Sequence, residues 1–384
     1  MKPKLIRITT VPISLKILLQ DQLLFMQQYF EVIAVSSSGN DLDYVGREQE
    51  VRTVAIEMSR AITPWKDLVS LVNMILLFRK EKPQIVHTHT PKAGLIGMMA
   101  AWLTGVPYRL HTIAGLPLME STGLKRKVLL LVEKLTYFCA TDLYPNSHGL
   151  EEFILESSLT SAKKVKVLGH GSSNGIDTEH FSITEEIVKK ATVLKKEYGI
   201  GEEDLVFIFV GRIVKDKGIN ELLHAFNKLA QENDRVKLLL VGDFENTLDP
   251  ISQDSNKILH TNSKIIQTGF QDDVRAFLAI ADCLVFPSYR EGFPNVVMQA
   301  GAMGLPSIVS DINGCNEIIT DNINGIIIPP KDAKALLIAM QRVQESEELL
   351  DTLASCSRKN IVKKYDRAVF LQNLLDDYNK VLKK

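Results

Sequence analysis

A chain of 384 residues is too long for one ordinary hydrophobic core, so two α/β domains are expected. With 45% hydrophobic and 24% charged residues, the composition is that of an ordinary globular protein and excludes low-complexity classes. The formal net charge of −1 excludes a molecule built as a whole to bind a polyanion.

The first element expected in chain order is a strand at Leu5–Val11. The N-terminal run MKPKLIRITTVP lacks a continuous apolar core and a small-residue cleavage site, so it does not read as a signal peptide. Further strands are predicted at Glu31–Val35, Gln84–Thr88, Tyr108–Thr112, Asp142–Pro145 and Val165–Leu168. Helices are predicted at Pro64–Glu81, Pro91–Thr104, Leu124–Ala140 and Gly149–Glu156. This alternation predicts a parallel, doubly wound sheet, and strands that are apolar without alternation predict cover on both faces. The longest apolar stretch, Leu68–Phe78, has the length of a buried helix and not of a bilayer span of roughly 20 residues.

A Gly-, Ser- and Asn-rich break at 169–181 reads as a linker. The pattern then restarts with strands at Val206–Val210, Val236–Val241, Ile265–Thr268, Cys283–Pro287, Ser307–Ser310 and Ile326–Pro329. Helices are predicted at Ile219–Asn233, Asp272–Ala281, Asn295–Met303 and Ala333–Glu345, with a charged helical tail after Glu347. The expected organisation is an N-terminal Rossmann-like domain over 1–170, a linker over 171–182 and a second such domain over 183–365. A C-terminal helix over 366–384 is expected to pack back on the first domain. Two such sheets place ligands at their strand C-termini, in a cleft between the halves. Cys139, Cys283, Cys315 and Cys356 are far apart and form no CxxC, which suits a reducing compartment and gives no disulfide or zinc framework.

Two clusters in the second half carry chemistry. In Val206-Phe-Ile-Phe-Val-Gly211-Arg212-Ile-Val-Lys215-Asp-Lys217-Gly218, a buried strand ends at a glycine and a helix begins at another. Gly211 lets backbone approach a ligand, while Arg212 and Lys217 bring two cations beside a helix N-terminus. That combination suits a diphosphate and compensates a leaving nucleotide diphosphate without a metal. An ordinary βα turn with solvated basic residues is the plainer alternative. The second cluster runs Glu291-Gly292-Phe293-Pro294-Asn295-Val296-Val-Met-Gln299-Ala-Gly301-Ala-Met-Gly304-Leu-Pro306. Its loop amides and helix start can face a ligand, Glu291 can hold a sugar hydroxyl, and Gln299 can reach a ribose hydroxyl. Close helix packing alone is the alternative use of Gly301 and Gly304.

The pair GRxxxxKG and EGFP-x4-[EQ]-A-x-A-x-G-x-P resembles the donor site of the family 4 glycosyltransferases with the GT-B fold. The resemblance spans roughly the whole second domain. It implies two Rossmann-like domains and sugar transfer with retention of configuration, with no metal or other cofactor. It implies that Arg212 and Lys217 hold the donor diphosphate, that Glu291, Gly292, Phe293 and Pro294 contact the donor sugar, and that Gln299 and Thr268, Gly269 and Phe270 lie at the nucleoside. The family carries a second glutamate where this chain has Gln299. A neutral amide still accepts a hydrogen bond, so weaker binding and not inactivity is expected.

Three stretches of the first half match the same family: His87-Thr-His89-Thr-Pro91-Lys92, Arg109-Leu-His111-Thr112, and Pro145-Asn146-Ser147. His87 and His89 share one strand face, but no neighbouring Cys, Asp or Glu completes a metal site. By the resemblance, His111 lies where the family often has a histidine near the transferred sugar. A histidine bonded to backbone at a strand end is the alternative. The family's Gly-rich first loop is replaced here by Thr9-Thr10-Val11-Pro12-Ile13-Ser14, whose hydroxyls on Thr9, Thr10 and Ser14 can serve instead, toward the acceptor. The run GHGSSNGID, with Asn174, resembles the family's hinge.

The overall pattern most resembles bacterial transferases of capsule, O-antigen or glycan repeat-unit synthesis, which implies a saccharide acceptor, carried on a polyprenyl diphosphate. The expected donor is a UDP-N-acetylhexosamine. A cytoplasmic protein is expected, with peripheral contact at the inner face of the membrane and no nucleic-acid partner. Residues 1–175 carry 20 basic against 15 acidic side chains, which suits an anionic acceptor or an anionic membrane face, or is a chance split. Lys125-Arg126-Lys127 beside apolar residues resembles an interfacial segment, and a buried helix with a solvated first turn is the alternative. A nucleotide-sugar epimerase and a silent sugar-nucleotide-binding subunit are the competing readings.

Overall fold

Runs of Ile, Val and Leu without alternation become strands covered on both faces, and they assemble into two separate sheets. The computed structural model describes residues 2–61, 63–119, 121–245 and 249–383. The chain forms two units, Met1–Gly175 with Arg367–Lys384, and Ile176–Asp366.

The first unit runs β1 Lys4–Ile8, α1 Pro12–Leu18, α2 Gln22–Gln27, β2 Glu31–Ser36, α3 Asn40–Glu48, β3 Arg52–Ala55, α4 Pro64–Glu81, β4 Ile85–His89, α5 Pro91–Leu103, β5 Tyr108–Ile113, α6 Gly123–Cys139, β6 Asp142–Pro145 and α7 His148–Glu156; the C-terminal helix is Arg367–Leu382. Its six strands are parallel in the order β3-β2-β1-β4-β5-β6. Prolines at the first turns of α1, α4 and α5 set their starts, since that position needs no amide hydrogen. Ile6, Ile8 and Val86 face a core closed by Met74, Met98 and Tyr137 from α4, α5 and α6. Leu5 and Leu110 face the other core, closed by Leu15, Leu23, Leu42 and, from the C-terminal helix, Leu374 and Tyr378.

The second unit runs α8 Glu185–Glu197, β7 Leu205–Val210, α9 Ile219–Glu232, β8 Val236–Val241, α10 Gln253–Thr261, β9 Ile265–Gly269, α11 Arg275–Ala279, β10 Cys283–Phe286, α12 Asn295–Ala302, β11 Ser307–Ser310, α13 Cys315–Ile318, β12 Gly325–Ile328, α14 Ala333–Glu345 and α15 Glu347–Tyr365. Its strands are parallel in the order β12-β11-β10-β7-β8-β9. In each sheet the winding reverses once, between β1 and β4 and between β7 and β10. The loops leaving those two strands diverge, which opens a ligand crevice at the strand C-termini.

Several elements differ from expectation. β1 ends at Ile8, because Pro12 opens α1 immediately and Thr9–Val11 form the turn into it. Val165–Leu168 makes a single bridge, Val165 to Leu143, and then leaves the sheet at Gly169, whose φ of 59° turns the chain away. The helix expected over Asp272–Ala281 is confined to Arg275–Ala279, since Asp273 binds the Arg275 amide and guanidinium and holds the segment before it as a turn. The short elements α1–α3 and the half-exposed edge strand β3 escaped the pattern reading.

One buried acid makes a pH prediction. Glu133 on α6 is 5% exposed, and burial pushes its carboxyl from 4.5 up to about 7. The native state therefore holds this proton more tightly, and stability is lost as pH rises from the ordinary carboxylate range through about 7. Glu133→Gln is expected to raise stability by about 2 kcal/mol at pH 8 and by little at pH 4. Thermal unfolding at the two pH values checks this; an equal change at both would remove the titration as its cause.

Candidate active site

The loops at the second unit's switch point carry both sequence clusters. Gly218, with φ 71°, caps α9, and a Cβ there would stand 2.0 Å from the Pro287 carbonyl oxygen, so the β7 and β10 loops touch backbone to backbone. This approach brings Lys217 to Glu291: the ammonium pairs with Glu291 Oε1, which also accepts from the Ser288 hydroxyl at 2.9 Å. Lys217 Nζ lies 5.5 Å from the centroid of the Phe286 ring, and both charged side chains are largely covered. Arg212 follows Gly211 in the same loop, but its side chain is 64% exposed and pairs with Glu245. The two cations thus lie on one loop with different freedom, Lys217 anchored and Arg212 free to swing.

The Glu291–Pro294 loop is held from behind. Asn313 Nδ2 donates to the Gly292 carbonyl at 2.8 Å and to that of Glu291 at 3.2 Å. Gly314, at φ 77°, permits the contact, since a Cβ there would stand 2.6 Å from the Gly292 oxygen. Phe293 is buried against Tyr365, ring centroids 5.5 Å apart, and Pro294 leads into α12, with Asn295 exposed and Val296 half-buried in its first turn. The two residues before this loop are also fixed: the Tyr289 hydroxyl donates to Glu221 at 2.8 Å, and the Arg290 guanidinium pairs with Asp216.

On the far side of β7, the Thr268 hydroxyl donates to the Gly269 carbonyl at 3.1 Å, and Gly269 has φ 69°. The Phe270 amide donates to Asp243 at 3.2 Å while its ring is 65% exposed. An uncovered phenyl ring beside a strand C-terminus is suited to stacking on a planar ligand. Gln299 is half-buried on α12, and among the described residues its carboxamide has no hydrogen-bond partner.

In the first unit the expected residues divide into two groups. Thr10 and Thr90 meet at the switch point: their hydroxyls are 2.7 Å apart, and the Thr10 amide donates to Thr90 Oγ1 at 3.1 Å. Thr90 has φ 74°, a strained conformation for a β-branched residue, and these bonds hold it there. Ser14 stands half-buried in the first turn of α1. His111 is buried, with Nδ1 2.8 Å from Thr88 Oγ1, and its ring packs so closely on α5 that a Cβ at Gly94 would stand 2.4 Å from Cε1. Burial lowers the imidazole to about 4, so it is neutral near pH 7.

The others are tied into structure. Lys92 Nζ lies 2.7 Å from both oxygens of Asp67 on α4. His89 Nε2 accepts from Arg7 Nε at 3.2 Å and Nη2 at 2.9 Å, so the ring is neutral with its hydrogen on Nδ1. His87 bonds the Tyr378 hydroxyl at 2.6 Å and Thr112 at 2.8 Å, which fastens the C-terminal helix to β4. Neither histidine is presented to a metal. Asn174 Oδ1 accepts from Gln22 at 2.9 Å and its amide nitrogen donates to the Gln20 carbonyl, pinning 172–175 to the α1–α2 turn. Ser147 caps α7, and Asn146 is buried with Oδ1 unpartnered among the described residues.

The match with known proteins covers both units. Residues 191–360 match the family described as glycosyl transferases group 1, and residues 27–171 match the glycosyl transferase 4-like domain. A relative from Staphylococcus aureus, the capsular polysaccharide biosynthesis glycosyltransferase CapM, is 36% identical over 381 residues, 99% of this chain and 98% of the relative. This chain belongs to the family 4 glycosyltransferases. The glycosyltransferase is also 30% identical over 366 residues to UDP-Gal:alpha-D-GlcNAc-diphosphoundecaprenol alpha-1,3-galactosyltransferase of Escherichia coli, covering 92% and 91% of the two chains. Its fold is GT-B: HepE from Anabaena, solved with UDP, superposes with a TM-score of 0.82 over 99% of this chain and all of that one at 18% identity.

Within this glycosyltransferase, sequence reasoning missed Ser288, Asn313, Gly314, Glu245 and Thr90. Asn313-Gly314 drew no attention, because its partner loop lies 21 residues away in the chain. Thr90 gave no signal, since nothing in its type announces a positive φ.

Proposed function

We propose that this glycosyltransferase moves an N-acetylhexosamine, with retention and without a metal, from a UDP-sugar to a saccharide on a polyprenyl diphosphate, in building a cell-surface polysaccharide. The observation that carries this reading is the meeting of Lys217 and Glu291 at the β7–β10 switch point, where Gly218 lets two backbones touch. Lys217 and Arg212 receive the diphosphate. Glu291, steadied by Ser288, accepts hydrogen bonds from sugar hydroxyls, and Phe270 covers the base. The bond between the sugar's C1 and the β-phosphate oxygen breaks, and C1 bonds the acceptor oxygen on the same face. The acceptor's proton passes to the departing phosphate, whose charge the two cations stabilise. The acceptor reading is supported by the names of two relatives, CapM and the E. coli enzyme acting on a diphosphoundecaprenol-linked sugar. Gln299 accepts from a ribose hydroxyl without the charge of a carboxylate.

The test is nucleotide diphosphate release from a panel of UDP-, GDP- and ADP-sugars, with EDTA, with and without a polyprenyl-diphosphate-sugar. Acceptor-stimulated UDP release in EDTA is the expected result, with UDP-N-acetylhexosamines fastest. Donor binding without release under any condition would overturn it in favour of a silent binding subunit.

A further inference from the structure

We infer that the outer face of α4 and α6, with the end of α5, is a docking surface for an anionic lipid bilayer. Each of the outer helices carries a second apolar stripe, turned away from the core. On α6 it is Leu124, Val128, Leu131, Leu135 and Phe138, spaced as one helical face, with Leu124 at 78% and Leu131 at 70% exposure. On α4 it is Trp65, Leu68, Val69, Val72 and Leu76, with Trp65 at 82%. The chain has two tryptophans, and both are exposed in this layer; Trp102, at the end of α5, touches Phe138 with ring centroids 5.8 Å apart. Scattered exposed apolar residues are ordinary, whereas two periodic stripes on helices that flank a common neighbour are not.

Charge decides the occupant. Over residues 64–139 there are 10 Lys and Arg against 4 Asp and Glu. Asp67 is neutralised by Lys92, Glu81 by Lys4 and Arg52, and Glu133 is buried. Lys125, Lys127 and Lys134 on α6 and Lys66, Arg79 and Lys80 on α4 remain exposed beside the stripes. Amphipathic helices with lysine flanks and exposed tryptophan rings suit the interface of an anionic leaflet, with the lysine stems lying along the apolar face. A second copy of this chain suits it poorly, because a twofold contact would set these same-sign charges against one another. Among the described residues no helix is long and apolar enough to cross a membrane, so the contact is with the surface of the bilayer. This inference deepens the lipid-linked acceptor reading and rests on it for its purpose. Its test reads vesicle binding alone, so failure of either leaves the other to be judged separately.

The experiment is sedimentation of the purified full chain with phosphatidylcholine vesicles, with and without phosphatidylglycerol, while tryptophan emission is followed. The expected result is partition onto the anionic vesicles, weakened by salt, with a blue shift from Trp65 and Trp102. Leu131→Glu combined with Phe138→Glu is expected to weaken partition at least tenfold with unchanged thermal unfolding and unchanged UDP release in detergent. Lys125→Ser with Lys127→Ser is expected to remove the preference for phosphatidylglycerol. Absence of binding, equal binding by the Glu variants, or a wild-type dimer that these variants dissociate would each overturn the inference.

Discussion

Alanine at Lys217 is expected to lower transfer by about two to three orders of magnitude while leaving the fold intact, as loss of one preorganised donor does elsewhere. The ammonium is held by Glu291 and the Phe286 ring, so in the proposed reaction it is already placed when charge develops on the leaving diphosphate. Because the placement is prepaid by the fold, the loss falls on turnover more than on donor binding. Arginine at this position is expected to recover only part of the rate, since a planar fork cannot occupy the covered space of a compact ammonium. Arg212→Ala is expected to be milder: its guanidinium is mostly exposed and must swing from Glu245 to reach a donor. UDP release and thermal unfolding of the three variants decide the matter; a near-normal rate for Lys217→Ala would end its assignment to the diphosphate.

Gly218→Ala is expected to destabilise the second unit by about 2–4 kcal/mol, combining the left-handed penalty with overpacking. The new Cβ would meet the Pro287 carbonyl oxygen at 2.0 Å, and backbone cannot turn aside as a side chain can. Gly304 supplies the control. Its φ is 82°, yet a Cβ there meets nothing within 4 Å, so Gly304→Ala is expected to lose only about 1 kcal/mol. Comparing the two by thermal unfolding separates close approach from backbone conformation. Equal losses would show that conformation alone matters at Gly218.

Most of the strands were legible because uninterrupted apolar runs such as Val206–Val210 have one stable use, a parallel strand covered on both faces. Legibility failed where position in the sheet, and not composition, decides. The edge strand β3 is four residues of mixed exposure, and Val165–Leu168 alternates lysine with valine yet finds only one bridge to β6. The two clusters of the second unit were readable because glycine and proline mark loop geometry at predicted strand ends. The first unit's polar residues were not, since their partners are distant in sequence. Lys92 looks available until Asp67 is seen beside it, and His87 until Tyr378 arrives from the other end of the chain.

That late arrival bears on how the protein is made. The first unit takes its core from both ends of the chain, with Phe370, Leu374, Leu375 and Tyr378 closing one face of its sheet. The second unit is one continuous segment between them. A ribosome therefore releases everything the second unit needs while the first unit still lacks a wall. Until the last helix emerges, Leu5, Leu110 and the Arg7–His89 pair lie under an open face. The unit begun first closes its core only after the second unit is complete, and chaperone occupancy on the nascent chain should persist until Tyr378 has emerged.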